Sequence, residues 1–162
     1  MSMYPAELES AEPLTLHHPV LYADINFDVG RTNARFFAAL RDQGRILATR
    51  CPACARTYLP PRMSCHECFA ELHDWVDAGD TGTLQAFTVV REPGMLQPQT
   101  PPYVLGLIKL DGADTAFVHY VCEVDPAAVK VGMRLRAVLA EERKGSIWDI
   151  RYFKPGDTHG DH

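Results

Sequence analysis

"CPACARTYLPPRMSCHECF", residues 51–69, holds four of the chain's five cysteines in two Cys-x-x-Cys pairs, Cys51/Cys54 and Cys65/Cys68, with ten residues between the pairs. Thiolates bind Zn²⁺ tetrahedrally, and four of them fill the coordination shell. A two-residue spacer lets both sulfurs of a pair aim at one ion while backbone N–H groups face the sulfurs. The second pair has to be delivered by a separate strand. The spacing therefore predicts a metal site made of Cys51, Cys54, Cys65 and Cys68, with zinc as a structural cofactor. A closed shell leaves no position for water or substrate, so such a metal is a staple and not a catalyst. Two rivals share the spacing: iron in a rubredoxin-like site, which implies electron transfer, and a disulfide framework, which belongs to oxidising compartments. His66, inside the second pair, reads as an exposed ring.

The flanks extend this reading. "RILATR" (45–50) is a strand entering Cys51, "TYLPPR" (57–62) is extended because its prolines forbid helix, and "LHDWVDAG" (72–79) is a returning strand. Together they predict a zinc ribbon over 45–78. Upstream, "TNARFFAALRDQG" (32–44) has the period of a helix, with Thr32 or Asn33 placed to cap it and Gly44 to stop it. Phe36, Phe37 and Leu40 share one face, which must dock on the body of the protein or on a partner. Prolines 5, 13 and 19 exclude a long helix before that, so residues 1–44 read as an arm followed by the helix.

After Gly79 the pattern becomes all-β. "GTLQAFTVV" (82–90), "YVLGLIKL" (103–110), "TAFVHYVC" (115–122), "MRLRAVLA" (133–140) and "SIWDIRYF" (146–153) are strand candidates bounded by Gly, Pro and Asp. "VDPAAVKVG" inserts a short helix between the third and fourth, with Asp125 as cap and Pro126 at its first position. Five strands with that insertion predict an OB-fold barrel over 79–155. The Pro-rich loop 91–102 has a length that is usually functional. The tail 156–162 reads as disordered. The fold class is thus mainly β: N-terminal helix, rubredoxin-like zinc ribbon, five-stranded OB-fold barrel.

Hydrophobic residues make up 46% and charged residues 23% of the 162, as in a globular protein, and no apolar run has the length of a membrane span. The start carries acids where a signal peptide needs a basic region, so a cytoplasmic location is expected. The net charge of −5 is unevenly spread: residues 31–66 hold seven arginines and one acid. That stretch is a solvated face or a surface for phosphates. A single-strand nucleic-acid binder needs basic and aromatic side chains on the second and third barrel strands. Those strands hold one Lys and no Arg, which argues against nucleic acid. No Gly-rich phosphate loop, G-x-S-x-G or metalloprotease helix occurs. Cys122 and His119 stand at an odd offset on a strand, which turns them to opposite faces. The sequence predicts no catalytic residue.

The stretches "FFAALRDQGRILATRCPACARTYLPPRMSCHEC", "GTLQAFTVVRE", "PPYVLGLIKLDG" and "VDPAAVKVGMRLRAV" together resemble a known family. It is the rubredoxin-like zinc-ribbon plus OB-fold family of acyl-CoA-associated proteins, domain of unknown function thirty-five. The resemblance spans about 31–155. It implies a small non-catalytic accessory subunit beside a thiolase, a thiolase-like retro-aldolase or a hydratase, in a hetero-oligomer that binds a β-keto or β-hydroxy acyl-CoA, as in aromatic or steroid degradation. Its metal residues correspond to Cys51, Cys54, Cys65 and Cys68. Members usually place glycine after each cysteine pair, because the backbone there turns through positive φ; here those positions are Ala55 and Phe69. For such a role Arg50, Arg56 and Arg62 are the candidate CoA-phosphate contacts. Phe36, Phe37, Leu40 and Met95 are the candidate partner contacts.

The metal reading predicts that the purified protein is colourless with one zinc per chain. Metal analysis and visible absorption check this, and a red, iron-containing protein would favour the electron carrier.

Overall fold

The computed structural model describes residues 28–93 and 99–156. It opens with helix α1, Gly30–Gln43. Three short strands follow: β1 (Leu47–Arg50), β2 (Thr57–Tyr58) and β3 (Asp74–Asp77). The rest is β4 (Thr81–Val90), β5 (Tyr103–Leu110), β6 (Phe117–Val121), a 3₁₀ turn at Pro126–Ala128, β7 (Arg134–Leu139), a second 3₁₀ turn at Ile147–Asp149, and β8 (Ile150–Pro155). β2-β1-β3 form one small antiparallel sheet, and β4-β5-β6-β8-β7 close into a barrel.

α1 ends as expected. Gly44 adopts φ 65° and its N–H reaches back to the Ala39 and Leu40 carbonyls, a left-handed cap that glycine takes at little cost. The start differs from the reading: Thr32 and Asn33 lie inside the helix, Val29 is at the N-cap, and the Asp28 carboxylate accepts the Gly30 N–H at 2.8 Å. Asp28 thus supplies the anion that the first turn lacks.

The barrel follows from alternation in β5, where Val104, Gly106, Ile108 and Leu110 face inward and are buried. β4 serves two partners. It pairs with β7 through Thr81–Thr83 and with β5 through Gly82–Val90, with a bulge between Leu84 and Ala86. The bulge bends the strand so that it can close the barrel. Gly82 is required at this crossing, because a Cβ there would lie within 3 Å of the β5 backbone at Lys109 and Leu110. The expected fifth strand, 146–153, begins later. Ser146 Oγ accepts the Trp148 N–H, and Ile147–Asp149 form the 3₁₀ turn first. Asp149, nearly fully buried, accepts the N–H groups of Lys144 and Gly145 at 2.9 and 2.8 Å. Its carboxylate holds the loop between β7 and β8 in place.

One core joins the parts. Phe36, Ala39 and Leu40 of α1 are buried with Ile46, Leu47 and Leu59 of the ribbon and with the barrel interior. This corrects the expectation that Phe36 and Leu40 meet a partner. They are 3% and 0% exposed, because the helix face covers this chain's own core. Phe37 is half-buried and packs at the edge of that core. Met95 lies outside the described residues.

His119 points into the barrel beside Phe117 and Phe153 and is 5% exposed. Its Nδ1 accepts the Tyr120 N–H at 2.9 Å, and its Nε2 has no partner among the described residues. Burial lowers its pKa below the ordinary histidine value. The unfolded chain therefore takes up this proton first as pH falls. The stability that depends on neutral His119 is present above about pH 6.5 and is lost below it.

Two outcomes follow from this packing. Leu40→Ala should lose about 3 kcal/mol in urea unfolding, as for a buried leucine whose cavity cannot fully collapse. The drop in stability between pH 7.5 and 5.5 should be smaller in His119→Phe than in the wild type; equal drops would clear His119 of any part in it.

Candidate metal centre

Each cysteine pair sits at the tip of a tight turn, and the two turns have the same hydrogen bonds. Cys51 N–H donates to the Arg56 carbonyl at 2.8 Å, and Ala55 N–H to the Cys51 carbonyl at 2.9 Å. In the second turn Cys65 N–H donates to the Ala70 carbonyl at 2.9 Å, and Phe69 N–H to the Cys65 carbonyl at 3.0 Å. To close these turns Ala55 and Phe69 take φ of 60° and 58°. These are the two positions where the resemblance puts glycine. The turn keeps its shape although each side chain costs roughly 1–2 kcal/mol there.

The four sulfurs lie within 4.8 Å of one another. Across the pairs, Cys51 and Cys68 are 3.5 Å apart and Cys54 and Cys65 3.6 Å. A tetrahedron with metal–sulfur arms of about 2.3 Å has edges of about 3.8 Å, so the cluster fits a tetrathiolate ion. All the cysteines are free, and these separations are far beyond the ~2.05 Å of a disulfide. Cys51 and Cys65 are buried, whereas Cys54 and Cys68 are exposed.

Hydrogen bonding divides the thiols in the same way. The Tyr58 hydroxyl lies 3.1 Å from Cys65 Sγ, and with the amides of Cys68 and Glu67 it brings Cys65 down to about 6 despite burial. The Cys54 amide does the most to lower Cys51, with help from that of Ala53. The Arg56 amide lowers Cys54, but its hydrogen bonds to the Cys51 and Cys65 sulfurs, with the charge on Cys51, push it up to about 12. Cys68, facing the Ala70 amide, is raised by the same two sulfurs. Each pair thus offers one ready thiolate whose charge resists a second ionisation. A divalent cation relieves that conflict, which is the chemistry this donor set is suited to.

The candidate arginines take three different positions. Arg50 is exposed at the end of β1. Arg56 is paired with Glu67 at 2.8 Å. Arg62 lies over the Tyr58 ring, 5.8 Å from its centre. His66 is an exposed ring 3.1 Å from Glu67 and edge-on to Tyr58, outside the sulfur cluster. The sequence reading missed Tyr58. Its position after a cysteine turn was visible, but nothing in "TYLPP" shows where the hydroxyl ends.

β2 also ties the ribbon to the barrel. Thr57 N–H donates to Asp114 Oδ2 at 2.8 Å, and Asp114 N–H donates to the Thr57 carbonyl at 2.9 Å. Leu59 N–H donates to Thr115 Oγ1, and the Thr115 hydroxyl donates to the Leu59 carbonyl, both at 2.8 Å. Asp114 and Thr115 belong to the turn between β5 and β6.

Two family models match the chain in series. The rubredoxin-like zinc ribbon domain of ChsH2 matches residues 38–74, and the C-terminal OB-fold domain of ChsH2 matches residues 75–140. Among solved structures, an Ltp2-ChsH2(DUF35) aldolase chain is similar at 26% identity and a TM-score of 0.60, covering 80% of this chain and 98% of that one. A DUF35-family protein of unknown function from Sulfolobus solfataricus shares the fold at 22% identity and a TM-score of 0.55, over 67% of this chain and 78% of that one. Among the described residues no helix is long and apolar enough to cross a membrane.

Replacing Cys51 and Cys65 by serine should abolish stoichiometric zinc and remove amide-exchange protection from the ribbon. Metal content and hydrogen exchange read the two effects separately.

Proposed function

The chain belongs to the DUF35 family of ChsH2-type zinc-ribbon and OB-fold proteins, and from that premise we propose that it is a non-catalytic accessory subunit of a thiolase-type acyl-CoA enzyme. The observation that carries this reading is the similarity to the Ltp2-ChsH2(DUF35) aldolase chain, which extends over 98% of that chain. The ribbon holds a structural zinc and the barrel presents the ligand surface. A thiolase-like chain supplies the reacting groups.

The ligand in this reading is a β-keto or β-hydroxy acyl-CoA. Its pyrophosphate and 3′-phosphate need cationic partners, and an arginine fork meets phosphate with two hydrogen bonds. Arg50 and Arg62, both exposed, suit that role better than Arg56, whose guanidinium is held by Glu67. The outward side chains of β5 and β6, with Leu105, Leu107 and Val118, present an apolar surface with one lysine, Lys109. That surface suits an acyl group or a partner better than a nucleic-acid backbone.

Co-purification tests the assembly. The tagged protein should retain a larger thiolase-like chain, and neither chain alone should be fully active. A lone, monodisperse monomer that cleaves acyl-CoA unaided would overturn the reading. Within an active complex, Arg50→Gln combined with Arg62→Gln should raise KM for the acyl-CoA by about tenfold, the worth of a charge-assisted hydrogen bond. KM for the matching acyl-pantetheine, which lacks those phosphates, should be unchanged.

A further inference from the structure

The two cysteine turns are near copies offset by fourteen residues: Cys51 corresponds to Cys65, Cys54 to Cys68, Ala55 to Phe69. The offset carries Tyr58 onto Leu72. These two side chains occupy equivalent places, and both are buried with Cys51 and Cys65 in one small cluster under the metal site. Leu72 completes its turn with hydrocarbon alone. Tyr58 adds a hydroxyl, which lies 3.1 Å from Cys65 Sγ while its ring is 0% exposed. His66, edge-on at 5.2 Å, and the Arg62 guanidinium at 5.8 Å flank the ring.

A metal-bound thiolate can only accept a hydrogen bond, so in the loaded site the direction is settled: the phenol donates. Four thiolates around a dication carry a net charge of −2, and two of the sulfurs are buried. The backbone amides serve the two halves alike, so Tyr58 is the donor that breaks the symmetry. β2, which carries it, is also the strand pinned to the barrel through Asp114 and Thr115.

We propose that Tyr58 is a positioning residue for the metal, its hydroxyl donating to the Cys65 thiolate so that sulfur charge is offset inside the ribbon and the metal is coupled to the strand that anchors the ribbon on the barrel. This rests on the reading that the four cysteines hold a metal. Outer-shell donors of this kind typically change metal affinity 10- to 100-fold.

The test uses the full chain. Tyr58→Phe keeps the ring and removes the donor. Zinc affinity, from competition with a chelator of known strength, should fall by about tenfold, close to 1.4 kcal/mol. In the cobalt-substituted protein the sulfur-to-metal charge-transfer band should move to longer wavelength, because the Cys65 lone pairs lose their stabilising donor. A band position and an affinity both unchanged within twofold would sink the proposal. If the variant does not fold, the wild-type protein loaded with ¹¹³Cd decides. A slowly exchanging phenolic proton coupled to the metal supports the hydrogen bond, and a freely exchanging, uncoupled one refutes it. Failure of the wild-type chain to bind any metal would instead remove the underlying metal reading.

Discussion

Four sulfurs from two separate turns must meet at one point, and the rest of the N-terminal half is arranged to let them. Each turn spends a left-handed residue to bring its amides onto its sulfurs, and both use a side chain, Ala55 or Phe69, where glycine is cheaper. The strain is roughly 1–2 kcal/mol per turn. Structural zinc returns about 10–16 kcal/mol in zinc-finger peptides, far more than a strain of this size. That margin explains how Phe69 can stand 81% exposed on a strained backbone without endangering the fold.

The ribbon sheet alone is too small to hold a core. β2 has two residues and β1 and β3 four each. Its stability is borrowed from both sides. α1 covers it with Phe36 and Leu40, and the turn between β5 and β6 grips β2 with two reciprocal pairs of hydrogen bonds. The helix face that looked like a docking stripe is therefore the mortar between ribbon and barrel. What remains outward on that side is Phe37, next to a groove that also includes Val29, Ile147 and Trp148.

This division of labour suits an accessory subunit. The four-cysteine cluster fits a metal ion with no open coordination position, and the barrel shows an apolar, weakly charged sheet face. Several arginines of 31–62 are already committed: Arg41 to Asp42, Arg45 to Asp77 and Arg56 to Glu67.

The cysteine spacing, the Pro and Gly punctuation and the period-two strands were enough to read the four-cysteine cluster, the ribbon and the barrel from the sequence, because each is a local pattern with a short physical range. Helix and strand ends were less legible. Asp28 and Ser146 decide two of them by hydrogen bonds to backbone groups that become available only when the chain has turned. Three facts were invisible in one dimension: that Phe36 and Leu40 face inward, that Asp114 and Thr115 meet β2, and that the Tyr58 hydroxyl meets Cys65. Each depends on residues far apart in sequence, or on the orientation of one strand, and only the packed chain sets those distances.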